Sequence, residues 1–238
     1  MKKACATLSA IALVALASSE ARAQSALPSQ GSFAFSAERL FGYYSYKGTA
    51  SQPDTQDTQN GNQFSFLWAS NRTAGDVAAT NVDAVPRLGF DFFVTDGLTL
   101  GTAVGYYSAA GTYKHEQVGQ PRDTGDLPDI SALAFAPRAG YLFRLGSHAA
   151  VWPRIGLTYV TETEKRPGNN DSTVNLLQTD FEALLVLAPM SHFAIEIGPV
   201  LDVPASGSID TTTNGVGQPG TDLSWLTFGI TAGLATYL

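Results

Sequence analysis

From Leu226 to the carboxyl terminus, apolar residues alternate one by one with small or polar residues. Leu226, Phe228, Ile230, Ala232, Leu234 and Leu238 fall on one face, and Thr227, Gly229, Thr231, Gly233 and Ala235 on the other. A period of two is strand geometry, because successive side chains leave a strand on opposite sides. The alternation recurs upstream in Leu88, Phe90, Phe92 and Val94, then in Leu98, Leu100, Thr102, Val104 and Tyr106, then in Leu133, Phe135, Ala139, Tyr141 and Phe143. It continues in Val151, Ile155, Leu157 and Tyr159, in Leu177, Phe181, Ala183, Leu185 and Leu187, and in Phe193, Ile195, Ile197, Leu201 and Val203. A first strand over residues 32–46 is aromatic on both faces, and its phase stays open. One oily face backed by small or polar positions suits a barrel wall between lipid and a narrow polar lumen.

The predicted connections alternate in length. Short ones lie at 95–97, 145–148 and 188–191, and long ones at 47–85, 109–129, 162–173 and 204–221. Tight periplasmic turns and long extracellular loops have this order in outer-membrane barrels. The fold class is therefore all-β, an eight-stranded antiparallel up-and-down transmembrane β-barrel. Counting the apolar segment Phe64–Ala69 as a further crossing would invert every later turn. It is read instead as a strand extending above the membrane, with an apolar loop folded onto the barrel mouth as the alternative. Tyr43, Tyr44, Tyr46, Tyr106, Tyr107, Trp152, Tyr159, Trp225 and Tyr237 lie near strand ends, where amphipathic rings suit an interfacial girdle.

The charges within these strands keep one parity. Arg87, Asp91, Arg138, Arg154, Asp180, Glu182, Glu196 and Asp202 all fall on the face opposite the oily sets. Arginine facing lipid near the midplane costs on the order of 2–4 kcal/mol, so inward placement is the physical default. Arg138 and Arg154 lie at similar distances from the short connection 145–148, as do Glu182 and Glu196 from 188–191, which predicts a mid-barrel layer of mixed charge. An eight-stranded barrel encloses room for side chains only, so these groups are expected to pair and fill the lumen, the alternative being that they line small water pockets. Glu38 and Arg39 are adjacent and cannot both face inward without a bulge; Glu38 is taken as the inner one. Three arginines sit in Pro-Arg-x-Gly phrases, at Pro86–Gly89, Pro137–Gly140 and Pro153–Gly156. Pro137, Pro153 and Pro199 remove donors inside strands, so bulges or broken ladders are expected there.

The amino-terminal end sets the compartment. Lys2 and Lys3 precede an apolar run from Ala4 to Ala17 and the small-residue motif Ala21-Arg22-Ala23, the order of a secretory signal peptide. Residues 1–23 are thus read as a cleaved signal, 24–31 as a short amino-terminal segment and 32–238 as the outer-membrane barrel. Loss of Lys2, Lys3, Arg22 and Glu20 takes the net charge from −7 to −9. That balance excludes a nucleic-acid partner, which needs clustered Lys and Arg. Cys5 is the only cysteine and departs with the signal, which excludes disulfides, thiolate metal sites and a cysteine nucleophile. Residues 24–238 contain no apolar run of helix-spanning length, so a membrane can be crossed only by a closed barrel.

With these features, the chain resembles the small outer-membrane β-barrels of the OmpA transmembrane-domain and OmpX type. The resemblance rests on the signal peptide, the alternating strands, the hairpin Val94–Gly101 and the amphipathic carboxyl-terminal strand. It implies insertion by the outer-membrane assembly machinery, contact with outer-membrane lipid and lipopolysaccharide, and a monomer. That class usually ends on an aromatic residue, whereas this chain ends on Leu238 after Tyr237.

The candidate chemistry is sparse. His115 lies in a long connection beside Glu116, while His148 and His192 follow Ser147 and Ser191 at short turns, without a carboxylate at motif-like spacing. No catalytic residues, cofactor or metal site are assigned. A structural or surface-interaction protein with a charge-filled lumen and acidic Gly/Ser/Thr/Asn/Asp-rich loops is the resulting expectation, its surface ligand left unnamed. A narrow pore is the first alternative and a lipid-modifying enzyme the second.

Overall fold

The computed structural model describes residues 26–66, 82–115, 123–166, 170–218 and 220–238. The signal segment 1–23 and residues 67–69 of the doubtful apolar segment lie outside them. The strands are β1 (Phe33–Gln52), β2 (Thr55–Phe66), β3 (Arg87–Phe93), β4 (Leu98–His115), β5 (Asp123–Tyr141), β6 (Phe143–Arg144), β7 (Ala149–Arg166), β8 (Asn170–Met190), β9 (Phe193–Thr213), β10 (Val216–Gly217) and β11 (Thr221–Tyr237). Every pairing is antiparallel, and β1 closes the wall against β11 from Ala34↔Tyr237 to Ser51↔Asp222. The wall has eight positions. β6 continues β5 past Leu142, and β10 caps the end of β9.

β2 and β3 share the second wall position. β3 pairs with Phe33–Glu38 at the short-turn end of β1, and β2 pairs with Phe41–Gln52 at the other. The segment Phe64–Phe66 therefore descends into the wall instead of standing above it. Phe66 lies in register with Phe41, their rings 4.8 Å apart, and Phe64 and Phe66 both point outward. It adds no crossing, so the sense of every later turn is kept.

The outer surface carries a belt of large exposed apolar side chains, among them Leu88, Leu100, Phe135, Ile155, Phe228 and Ile230. A contiguous apolar belt of this extent belongs against a hydrocarbon medium. The parity read from the sequence is the parity of the wall. Of the nine aromatic residues assigned to an interfacial girdle, Tyr44, Trp152, Trp225 and Tyr237 face the other way and are buried inside, and Tyr46 stacks on Trp225 there. Strand propensity draws aromatics to either face. In Trp152 the parity shared with Arg154 decides the matter.

The expected long loops are largely strand. β1–β2 turns at Pro53–Asp54, β7 runs to Arg166, β8 starts at Asn170 and β9 runs to Thr213. Once neighbouring strands are in register, each added residue pair continues an existing ladder. Thr and Ser tolerate that extended backbone without supplying the apolar contrast that marks a strand in sequence.

The three prolines interrupt the wall without shifting it. Pro137 keeps its pairing with Thr102 on β4, but the β5–β7 ladder skips from Phe135↔Tyr159 to Arg138↔Gly156. Pro199 keeps Ile230, and the β8–β9 ladder skips from Glu182↔Val200 to Leu185↔Ile197. Pro153 keeps Ala183 on β8 while the facing β5–β7 ladder lapses between Gly140↔Arg154 and Phe143↔Val151. Each proline thus spares one ladder and opens the other. The interruptions border a groove of about 540 Å³ in the outer wall, flanked by Tyr141, Ile155, Phe181 and Phe228.

Candidate functional site in the barrel lumen

The lumen is stratified along the barrel axis. At the short-turn end, Phe93, Leu142, Trp152, Val186 and Tyr237 form an apolar layer into which Ala26 and Leu27 are tucked. The amino-terminal segment is held there by polar contacts as well. Ala26 N donates to Ser147 O (3.2 Å), Arg144 donates to Pro28 O (2.5 Å) and Gln30 N donates to Asp96 Oδ1 (3.1 Å). The indole of Trp152 donates to Thr99 Oγ1 (3.1 Å), which satisfies its one donor inside the layer.

Above this layer lie the nine charged residues singled out in the sequence: Glu38, Arg87, Asp91, Arg138, Arg154, Asp180, Glu182, Glu196 and Asp202. All nine are inside the barrel. Arg138 donates to both oxygens of Glu38 (2.7 and 2.6 Å) and, through Nε, to Asp91 (3.0 Å). Arg154 donates to Glu38 (3.0 Å) and to Glu182 (2.8 Å), while its guanidinium lies 4.9 Å from the Trp152 ring centroid. Glu38 also accepts from Ser36 Oγ (2.7 Å). Each arginine is thereby shared between carboxylates from different strands, the geometry that planar, forked guanidinium donors favour.

Glycines make the space for this arrangement. Asp91, Gly101 and Arg138 are successive register partners across β3, β4 and β5, so Arg138 reaches Asp91 over a position without a side chain. A Cβ on Gly89 would lie 2.2 Å from Ser36 Oγ and 2.6 Å from Arg138 Nη2. In the Pro-Arg-x-Gly phrases, the glycine two residues on shares the arginine's face, and the narrow lumen needs that alternation.

Arg39 is inside too, which corrects its assignment as the outward neighbour of Glu38. β1 bulges between Ala37 and Phe41, and Arg39 adopts a left-handed φ of 54°. The three residues Glu38–Leu40 oppose Gly233, where a Cβ would lie 2.6 Å from Ala37 O. The bulge delivers two successive side chains to one face. Arg39 then donates to both oxygens of Asp202 (2.9 and 3.1 Å) and to Glu182 (3.3 Å). Asp91, Arg138, Glu38, Arg154, Glu182, Arg39 and Asp202 thus form one continuous chain of ion pairs linking β1, β3, β5, β7, β8 and β9.

A residue from the first long connection completes the layer. The turn Val82–Ala84 lies in the lumen, and Asp83 accepts from Thr227 Oγ1 (2.6 Å) and Gln178 Nε2 (3.2 Å) while its carbonyl accepts from Arg39 (2.6 Å). Ser65 Oγ donates to Ala84 O (3.1 Å). Arg87 donates to Thr158 Oγ1 (3.0 Å) and lies 3.7 Å from Asp83 and 4.0 Å from Asp180. Glu196 is set apart: Arg154 is 4.0 Å away, and neither of its oxygens has a hydrogen-bond donor among the described residues. Nothing in the sequence pointed to Asp83, which no periodicity governs. Glu162, buried at the upper end of β7, falls in a segment read as loop.

The serine–histidine neighbours form no catalytic constellation among the described residues. Ser147 Oγ contacts His148 Nδ1 at 2.7 Å on an exposed turn, and His192 Nδ1 contacts the Tyr237 carbonyl at 2.8 Å.

No family model and no curated protein sequence matches the chain. Among solved structures, the outer-membrane protein AlkL, determined in lipid bilayers, matches with a TM-score of 0.55 and 11% identity, over 93% of this chain and 96% of that one. The outer-membrane protein OprG from Pseudomonas aeruginosa matches with a TM-score of 0.51 and 10% identity, over 90% of this chain and 98% of that one. Likeness at such identities speaks for architecture: the chain has the fold of the small eight-stranded outer-membrane β-barrels.

Proposed function

We propose that this protein is a sealed wall element of the outer membrane, exported by the signal segment 1–23 and presenting polar strand extensions at the cell surface for contact. The observation that carries this reading is the obstruction of the lumen at three successive levels. The amino-terminal segment and apolar layer close the short-turn end, the arginine–carboxylate chain spans the middle, and the turn Val82–Ala84 sits above it. A water-filled channel needs a lumen wider than eight strands enclose once side chains occupy it.

The surface role rests on the hairpins beyond the apolar belt, which are rich in Thr, Ser, Asn, Gln and Asp. Their outward rows, such as Thr161, Asn175 and Ser208 in register across β7, β8 and β9, suit hydrogen bonding to sugar hydroxyls of lipopolysaccharide or of a neighbouring surface. The outer-membrane assembly machinery is the partner required for insertion.

Protein extracted from the outer-membrane fraction, folded as judged by heat-modifiable migration, should give no sustained open conductance in planar bilayers. A stable, large, ohmic conductance would overturn the sealed lumen, and absence from the outer-membrane fraction would overturn the placement.

A further inference from the structure

The prolines that interrupt the wall also shape its outer surface. Pro153 on β7 is the register partner of Ala183 on β8, and Pro199 on β9 faces Ala183 across the lapse between Glu182↔Val200 and Leu185↔Ile197. These three small residues form one outward row. The row two residues farther from the short turns is Ile155, Phe181 and Leu201, and the row two residues nearer to them is Val151, Leu185 and Ile197. A low row between two high ones is a trench, and it gives the groove of about 540 Å³ its floor. Proline and alanine have almost no side-chain freedom to lose, so the trench keeps its shape without an occupant.

Tyr141 closes one end of the trench and Phe228 the other. Tyr141 stands three residues before the end of its hairpin strand at Arg144, whereas Pro199 stands six after Phe193, so the Tyr141 end is nearer the short turns. Its ring lies over the turn: a Cβ on Gly97 would meet Tyr141 Cζ at 2.7 Å, and Phe143 packs against it with ring centroids 4.7 Å apart. From β5 to β11 the trench crosses the wall for about 19 Å at the usual strand spacing.

We propose that the trench binds one fatty acyl chain of a phospholipid from the periplasmic leaflet, which enters beside Tyr141. This rests on the membrane placement, with the short turns in the periplasm, and not on the surface role. The groove opens within the apolar belt, where hydrocarbon and not water is available to fill it. Lipid tails are as apolar as the wall, so fit selects the occupant. A chain in the trench touches protein on its floor and both sides, whereas one on the convex belt touches it on one side. A second barrel, itself convex, reaches only the rims. Tyr141 places an amphipathic ring at the level where the ester groups of that leaflet begin.

The seated chain also covers a thinned part of the wall. Arg154 and Glu182, the sequence neighbours of Pro153 and Ala183, pair at 2.6 Å on the lumenal side of the same floor. Hydrocarbon packed into the trench keeps water from the interrupted ladder in front of that ion pair.

The test uses the mature protein, extracted folded from outer membranes in a mild non-ionic detergent and weighed intact by native mass spectrometry. Wild type should carry one phospholipid, and after delipidation should regain one from micelles containing palmitoyl-oleoyl phosphatidylethanolamine. Ala183→Phe fills the floor and should lower that occupancy roughly tenfold or more. Leu88→Phe, exposed on the belt over β3, should leave it unchanged. Phe181→Ala lowers the rim without adding bulk; it should weaken retention several-fold, and stays readable should Ala183→Phe fail to fold. Four results would each overturn the proposal: wild type free of lipid, equal occupancy in Ala183→Phe and Leu88→Phe, preference for lipid A over phosphatidylethanolamine, or a doubled protein mass that Ala183→Phe abolishes. A lipid-free trench with a silent lumen would strike this proposal alone, and a sustained conductance would strike the sealed wall alone.

Discussion

Replacement of Arg138 by methionine is expected to cost the folded barrel about 3–5 kcal/mol, because removing one member of a buried ion pair strands its partners in a medium that cannot solvate them. Arg138 serves two carboxylates at once, those of Glu38 and Asp91, and its side chain is 6% exposed. Arg154 can still neutralise part of Glu38, but Asp91 has no other arginine within bonding distance among the described residues. Lys165 is the matched control: it lies exposed on the extended part of β7, where a substitution typically changes stability by no more than about 0.5 kcal/mol. Urea unfolding in detergent micelles, followed by the loss of heat-modifiable migration, measures both. Equal losses in Arg138→Met and Lys165→Met would remove the energetic importance of the inner layer.

The second large effect belongs to a glycine. At Gly198 a Cβ would lie 2.1 Å from the Ala183 carbonyl oxygen and 2.9 Å from Leu184 Cα, both backbone atoms of β8. The approach is close because the β8–β9 ladder is already interrupted beside Pro199. Gly198→Ala must therefore push two strands of the closed wall apart, and no side chain can rotate away to relieve it. A cost of about 1–3 kcal/mol is the usual scale of such overpacking, and the yield of folded barrel should fall with it. Gly146 provides the comparison, since a Cβ there meets nothing within 4 Å. If Gly146→Ala and Gly198→Ala refold to the same extent, the close approach of β8 and β9 is wrong.

Much of the architecture was legible because lipid and a narrow lumen impose opposite demands on alternate residues. Leu226 to Leu238 reads as a wall strand, and the parity of Arg138, Arg154, Glu182 and Glu196 places them inside, since arginine on the oily face is costly. The same parity assigns Trp152 and Tyr237 to the lumen, and reading aromatics by their nearness to strand ends obscured it. Arg39 could not be read this way. Period two forbids adjacent inward residues unless the backbone bulges, and a left-handed non-glycine residue leaves no compositional mark.

Asp83 was hidden for another reason: a turn held by hydrogen bonds to Arg39, Gln178 and Thr227 is specified by partners scattered over the whole chain. The extended hairpins were missed because Thr, Ser, Asn and Asp occupy both of their faces, so alternation carries no contrast there. Continuation of a ladder already in register holds these segments, and local sequence preference does not reveal it.

The lumenal ion-pair chain is tested most directly by a double-mutant cycle on Arg138 and Glu38, whose side chains meet at 2.6 and 2.7 Å. Unfolding free energies are measured for Arg138→Met, Glu38→Met and the double variant. Each single change should be strongly destabilising, and the double variant should be less so than the sum, with a coupling of about 2 kcal/mol or more, as for close buried charge pairs. Costs that add to within about 0.5 kcal/mol would mean that the two groups act independently, and would contradict a lumen held by paired charges.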